Sequence, residues 1–397
     1  MIPYPHQESM SDEALDILRE HAIVYLASEE RTGKTLTAIL VAEKSKAKNI
    51  LVITKKKALD GWNETLTAYP HKKVYKVTNY HQAHKVDPSN YDLIVLDESH
   101  NYISAFPKPG GMWKKLLDVC RNKPIMYMSA TPYAQGPQML YHQLALSSWS
   151  PWKNHKNFYQ WFRLYGKPYE LKINGVPIRQ YDKCDKDLIL GTCEHLFITK
   201  TREELGFEHE PEDVLHYVEL SNDTKALYNQ LMEHNIAVLD QGKELVCDTS
   251  PKLRVTLHML EGGVAKIEKE YLVLENEEKI NFIRDTFGDT EQLVIMYNYK
   301  AEHTKLSQRF KHAILLQSTS FAEGVDLSGF EHLVIYSQDF STARHTQRRA
   351  RQANKKRATA IRVHYLLVKG GLSENVYKTV SINKQNFVDS VFERKLL

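Results

Sequence analysis

Ile23-Val24-Tyr25-Leu26-Ala27-Ser28-Glu29-Glu30-Arg31-Thr32-Gly33-Lys34-Thr35 decides how the rest of the chain is read. Its first five residues are an apolar run short enough for a buried strand. Ser28–Gly33 makes a turn, and Thr35–Lys44 reads as a helix. A helix entered through such a turn points several backbone N–H groups, and the positive end of its dipole, at one spot, which suits an anion. Glu30, Arg31 and Thr32 supply the backbone of that cradle, and Gly33 lets it approach the anion closely. An ammonium at Lys34 reaches the outer phosphates of a nucleotide, and a hydroxyl at Thr35 suits magnesium. The spacing is that of the P-loop, G-x-x-x-x-G-K-[ST], with Ser28 in place of the first glycine.

Outward from this stretch the pattern repeats. Ile50–Thr54, Leu93–Asp97 and Ile125–Ser129 are further apolar runs, with Ala58–Tyr69 a helix between the first two. Leu293–Tyr297, Ala313–Gln317, Leu333–Ser337 and Ile361–Leu367 repeat the pattern in the last third. Near-continuous apolar runs separated by helical segments indicate parallel sheets covered on both faces. The middle differs. Residues 136–205 form a partly helical, aromatic-rich insertion, and Ser221–Gln241 and Pro251–Tyr271 read as helices. The expected organisation is α/β with two lobes, 1–205 and 206–397, the second helical over 221–271.

The 397 residues are 42% hydrophobic and 26% charged, enough for two cores, and the net charge of +4 neither demands nor excludes a nucleic-acid partner. Cys120, Cys184, Cys193 and Cys247 show no zinc-type spacing, so no structural metal is expected and the thiols read as reduced. No apolar run approaches the roughly 20 residues that span a bilayer, and Met1–Gln7 lacks the basic and apolar regions of a signal peptide. The expectation is a protein that stays in the cytoplasm, with no membrane partner.

Asp97-Glu98-Ser99-His100 follows directly on an apolar strand, and the carboxyl end of such a strand is where an α/β sheet places its ligand. Asp97 there can hold magnesium, Glu98 can take a proton from an attacking water, and His100 can relay the state of the nucleotide. Lys55, Lys56 and Lys57 follow a strand and can meet phosphates; Thr78, Asn79 and Tyr80 can add polar contacts, as can Asn298, Tyr299 and Lys300 in the last third. The crowd of aromatics from Trp149 to Tyr165 reads as the core of the insertion rather than a base-stacking platform, and Trp62 and Trp113 as packing residues.

The P-loop, Asp97-Glu98-Ser99-His100 and Ser129-Ala130-Thr131-Pro132 stand in the order and spacing of superfamily-two helicases, and the chain resembles that superfamily. Within it the chain resembles the Swi/Snf-type DNA-dependent ATPases, especially compact phage and bacterial forms. Pro5-x-Gln7 is similar to their adenine-reading glutamine motif, Val77–Tyr80 to their I-T-S-Y segment, and Phe197–Thr201 to the stretch closing their first lobe. Ser318–Leu327, with Gly324 and Asp326, resembles motif five, and Gln347-Arg348-Arg349-Ala350-Arg351 resembles motif six. Asn354 stands where that motif has a second arginine; Arg348 substitutes for it, or the register shifts to Arg348 and Arg351, or a single arginine acts.

The resemblance implies two RecA-like lobes, ATP and Mg2+ as cofactors, and a nucleic-acid partner, DNA before RNA. It places the nucleotide between Lys34 on one lobe and Arg351 on the other, with Gln7, Gln347, Gly324 and Asp326 around it and Ser318 among the strand contacts. The implied activity is that of a monomeric ATP-dependent translocase on double-stranded or branched DNA, in bacterial or phage-infected cytoplasm. A strand-separating DNA or RNA helicase and a non-hydrolysing nucleic-acid-binding module are the other readings. Ser28 and Asn354 support the last; retention of Lys34, Thr35, Asp97, Glu98 and Arg351 opposes it.

Overall fold

The computed structural model describes residues 1–134, 136–173, 176–206, 212–239, 242–318, 332–342 and 362–383, with 327, 330, 345, 387 and 392. The chain divides into two compact units, Met1–Phe207 and Glu208–Leu397.

In the first unit six parallel strands form one sheet: β1 (Ile23–Leu26), β2 (Asn49–Thr54), β3 (Val74–Asn79), β4 (Leu93–Asp97), β5 (Ile125–Met128) and β8 (Phe197–Ile198). Their order is β3-β2-β4-β5-β1-β8. The apolar runs are continuous because both faces are covered. Alternate residues serve the two sides: Tyr25, Ile53, Leu96 and Tyr127 pack on one, and Val24, Val52, Val95 and Met126 on the other. The second side carries α1 (Pro5–His21), α2 (Lys34–Lys44) and α3 (Leu59–Ala68). α1 buries Met10, Ala14, Leu15 and Leu18, each contributing on the order of 1–3 kcal/mol. Lys44 of α2 ties it down through Glu8 and Asp12, both at 2.7 Å.

On the first side lie α4 (Tyr80–Ala83), α5 (His100–Ile103), α6 (Gly111–Cys120) and α7 (Leu140–Leu144), then α8 (Phe158–Tyr165) and α9 (Lys186–Cys193). The aromatic-rich stretch corrects the expectation of an insertion with its own core. Trp152, Phe158, Trp161 and Phe162 join the cluster that contains Tyr25 and Tyr127, so they extend the lobe's core. A hairpin, β6 (Tyr169–Ile173) with β7 (Val176–Gln180), separates α8 from α9.

The second unit holds five parallel strands in the order β15-β14-β16-β17-β9. They are β9 (Glu212–Val218), β14 (Leu293–Tyr297), β15 (Ile314–Gln317), β16 (His332–Ile335) and β17 (Arg362–Val368). The two sheets are those of two RecA-like lobes. β9 is an edge strand with seven paired residues against β17, from Glu212 opposite Arg362 to Val218 opposite Val368.

The expected run of helix over 221–271 is corrected as well. α10 (Asn222–His234) ends at Asn235, which takes the left-handed conformation at φ 60°, a cap that asparagine tolerates. β10 (Ile236–Val238) and β11 (Glu244–Val246) then form a hairpin, burying Ala237 and Leu245 while Ile236, Val238 and Val246 point outward: period two, not helical period. α11 (Ser250–Glu261) stops at Gly262-Gly263, and β12 (Val264–Ile267) pairs with β13 (Glu270–Val273). α12 (Glu278–Phe287) and α13 (Lys300–Arg309) cover the sheet, and a helix over Leu372–Tyr377 follows β17.

Buried charge holds this hairpin in place. The Lys305 ammonium donates to the carbonyls of Gly263 at 3.2 Å and Leu274 at 2.6 Å, and to that of Asn276. The Glu302 carboxylate accepts from the backbone of Asn298 and Tyr299, both at 2.9 Å, and from the Ser337 hydroxyl at 2.7 Å. His258 lies fully buried with Nδ1 3.0 Å from the Tyr299 hydroxyl. Burial, reinforced by the Lys279 charge, brings His258 down to about 3, and burial with neighbouring His216 brings His364 to about 4.

Between the usual imidazole value of about 6.5 and these folded values, both histidines are neutral when folded and take a proton on unfolding. Their contribution is fully present above pH ~6.5 and is lost as pH falls toward the folded values. Urea midpoints of the wild type should fall steadily from pH ~6.5 to pH ~4. His258→Gln should flatten that slope by up to about 1.4 kcal/mol per pH unit. An unchanged slope would contradict the assignment.

Candidate functional site

The sheet order sets the site. β4, β5 and β1 are neighbours, with Asp97 level with Met128 and Met128 level with Leu26. Their carboxyl ends deliver the acidic turn, Ser129–Thr131 and the phosphate loop side by side. β2 and β8 flank them and contribute supporting contacts.

The phosphate loop is shaped by two left-handed residues, Arg31 at φ 62° and Gly33 at φ 82°. Gly33 is required for a second reason: a Cβ there would lie 1.9 Å from the Gln7 Nε2. Gln7 is buried; its Nε2 donates to the Gly33 carbonyl at 3.3 Å and its Oε1 accepts from the Tyr4 backbone at 2.9 Å. α1 thus brings this glutamine to the loop, where its amide is committed to the loop's backbone. Ser28, in the place of the pattern's first glycine, is buried and useful. Its hydroxyl accepts from the Lys200 backbone at 3.2 Å and lies 3.4 Å from the Ile198 carbonyl, fastening the loop to β8. The Thr32 hydroxyl donates to the Glu29 carbonyl at 2.8 Å.

Lys34 is folded into the loop, donating to the carbonyls of Ser28 and Glu29, each at 2.7 Å. Burial lowers its pKa, against the pull of Glu30, Glu98, Asp97 and Glu29. Two carboxylate oxygens in this neighbourhood, Glu30 Oε1 and Glu98 Oε2, are buried without a hydrogen-bond partner among the described residues. A loop of backbone donors, a lysine hydrogen-bonded to carbonyls, and unsatisfied acidic oxygens near Lys34 and Asp97 fit a triphosphate with its magnesium.

Asp97 is held from two sides. Its Oδ2 accepts from the Thr54 hydroxyl at 2.7 Å and from the Trp62 indole at 3.0 Å, and the Tyr80 hydroxyl donates to its backbone carbonyl at 2.8 Å. Glu98 sits at φ 53°, a backbone strain for a residue with a side chain, and such strain concentrates at functional sites. Burial, then the adjacent Asp97, raises Glu98 to about 7, with the Lys55 and Lys34 charges opposing. A carboxylate near neutrality is matched to taking a proton from water.

His100 joins the acidic turn to β5. Its Nδ1 is 2.7 Å from the Ser129 hydroxyl, and its Nε2 is 3.5 Å from the Thr131 hydroxyl. Glu98 Oε2 is also 3.5 Å from Nδ1, but that nitrogen is engaged by Ser129. Burial, with Lys55 nearby, lowers His100 to about 4, so the ring is neutral.

Other expected contacts divide. Lys56 and Lys300 are exposed and Lys55 half-buried, its charge acting on Glu98 and His100. Thr78 is half-buried, and Asn79 uses its side chain to cap α4 by accepting from the His81 backbone at 3.0 Å. Asn298 is half-buried, its backbone held by Glu302 and Ser337. Tyr80 and Ser318 are corrected as strand contacts: both are fully buried, Tyr80 stacking on Tyr102 with ring centroids 4.0 Å apart. Gly324, Asp326, Gln347, Arg348 and Arg351 lie outside the described residues.

Sequence reasoning missed two supports. Trp62 is a ligand of the Asp97 carboxylate as well as a packing residue. Gln143, fully buried in α7, accepts from the Tyr25 hydroxyl at 2.8 Å and the Ser99 hydroxyl at 3.0 Å and donates to the Pro132 carbonyl at 2.7 Å. A glutamine beside a histidine in the short helix α7 carries no spacing that marks it for this role.

Residues 67–134 match the family model of the type III restriction enzyme, res subunit. The matched segment carries the acidic turn and Ser129-Ala130-Thr131. It is similar to a helicase-like domain of superfamily two, and the similarity supports an ATP-dependent nucleic-acid motor. No curated protein matches the chain. Among the described residues, no helix is long and apolar enough to cross a membrane.

Gln143→Leu should lower unfolding stability by about 2–4 kcal/mol, because it leaves several buried polar groups unsatisfied. Trp62→Phe keeps an aromatic ring in the core and removes one donor from Asp97, at a stability cost of about 1–2 kcal/mol for the space the indole leaves. Weaker magnesium activation of ATP turnover is expected at a temperature where the variant is folded; equal magnesium dependence in the variant and the wild type would contradict the role.

Proposed function

We propose that this chain is an ATP-hydrolysing translocase on double-stranded or branched DNA, of the compact Swi/Snf-like kind. The observation that carries the reading is the 2.7 Å contact between His100 and Ser129, which couples the acidic turn to the Ser-Ala-Thr turn of the next strand. That contact joins the residues suited to hydrolysis to the turn that, in the resembled superfamily, answers nucleic acid.

In this reading Lys34 leaves the Ser28 and Glu29 carbonyls for the outer phosphates, while the backbone of residues 30–33 cradles them. Magnesium held by Thr35 and Asp97 would neutralise charge on the β and γ phosphates. Thr54 and Trp62 keep the Asp97 carboxylate aimed, and Glu98 orients a water and takes its proton. Arg351, with Arg348, supplies positive charge at the γ phosphate, and Gln347, Gly324 and Asp326 accompany them. Lys55, Lys56, Asn298 and Lys300 meet the phosphates of the strand, so contacts are independent of sequence. The motor works as a monomer in bacterial or phage-infected cytoplasm.

ATP turnover should rise several-fold on adding duplex DNA. Lys34→Ala and Glu98→Gln should abolish it, and Arg351→Ala should lower kcat by roughly a hundredfold or more. Rates that ignore nucleic acid altogether would sink the motor reading. Greater stimulation by single strands or RNA, with strand displacement, would replace translocation by unwinding.

A further inference from the structure

A cavity of about 790 Å³ opens within the first lobe, along α6 and the segment after α7. It lies on the sheet face opposite α2, because α6 and α7 pack with Tyr25 and Tyr127 while α2 packs with Val24 and Met126. None of the candidate site residues among the described residues lines it. Its composition is lopsided. Lys108, Arg121, Lys153 and Lys156 line it, and among the described residues no carboxylate does. All four cations are exposed, and among the described residues none of them is in an ion pair. Like charges gathered without counter-charge favour an anion.

The walls are aromatic. Trp113, Trp152, Phe158 and Tyr159 face the space, and Tyr159 is 37% exposed, so its ring is available for stacking. At the wall stands His142, only 4% exposed. Its Nδ1 donates to the Ala105 carbonyl at 2.6 Å, and its backbone carbonyl accepts from the Trp113 indole at 2.6 Å. With Nδ1 carrying the proton, Nε2 is a bare acceptor, and among the described residues it has no hydrogen-bond partner. It is the polar atom of a nearly buried side chain lining this cavity. Burial lowers His142 to about 4, which keeps that nitrogen an acceptor at neutral pH.

We infer that this cavity receives an unpaired nucleotide. The base stacks on Tyr159 and presents an N–H to His142 Nε2, and the phosphate lies against Lys153 and Lys156. Aromatic stacking with a cationic rim is the chemistry by which single strands are held without regard to sequence. The site therefore takes a displaced or terminal single strand, at a place apart from the phosphate loop. This rests on the nucleic-acid reading above, and the test separates the two.

The full-length chain is titrated with a labelled single-stranded DNA and with an abasic strand of equal length, by fluorescence anisotropy. Tyr159→Ala should weaken binding of the normal strand by roughly fivefold or more and leave the abasic strand unchanged. Lys153→Ala with Lys156→Ala should weaken both and flatten the dependence on salt. These residues are exposed, so ATP turnover without nucleic acid should be unaffected. AMP is then added to Lys34→Ala protein holding the strand. Retention of the strand supports the inference, and displacement by AMP overturns it in favour of a site for free nucleotides. Variants that bind both strands as tightly as the wild type overturn the inference, as does a wild type that binds no single strand. In either case duplex-stimulated ATP turnover, if present, leaves the motor reading standing.

Discussion

The Gln143 carboxamide is fully buried; its oxygen accepts from Tyr25 on β1 and Ser99 in the acidic turn, while its amide N–H donates to the carbonyl of Pro132 beyond β5. Three strand ends thus meet at one side chain. The parallel register brings β4, β5 and β1 level, but level strand ends still leave the turns after them free to choose a conformation. A satisfied buried amide fixes that choice, because any other arrangement strands a polar group away from water. The strained Glu98 backbone, at φ 53°, is sustained by this surrounding structure and by its own backbone bond to the Met128 carbonyl at 2.8 Å. His100 reaches Ser129 only because both turns are held.

Much of the first lobe is legible in its residues. Four apolar runs become β1, β2, β4 and β5, since strands buried on both faces must be apolar throughout. The phosphate loop and acidic turn are legible because their chemistry demands particular residue types at fixed spacing. What escapes is local ambiguity settled by tertiary contact. Glu212–Val218 mixes charge and apolar residues, and becomes β9 because β17 offers an unpaired edge. Ile236–Val246 carries β-branched residues that periodicity alone does not separate from a continuing helix, until Asn235 turns the chain.

The site shows the same division. Lys34, Asp97 and Glu98 are recognisable by type and spacing, whereas Trp62 and Gln143 reach them only through folding, with no spacing rule to betray them. Tyr80 shows the opposite error. Read as a surface contact from its neighbours, it is buried, and its hydroxyl supports the Asp97 backbone. Ser28 shows that a departure from a pattern can be accommodated. Its hydroxyl replaces the freedom of glycine with a fastening to the Lys200 backbone.

Lys305 carries a consequence for how freely the second lobe can vary. Its ammonium is a compact tetrahedral donor whose three hydrogens meet three carbonyls, of Gly263, Leu274 and Asn276. The planar fork of arginine cannot converge on such a point, and methionine would fill the space while leaving the carbonyls bare. The position is therefore intolerant of its usual conservative replacement. Drift in the hairpin is confined to its outward-facing side chains, with the chain path itself held constant.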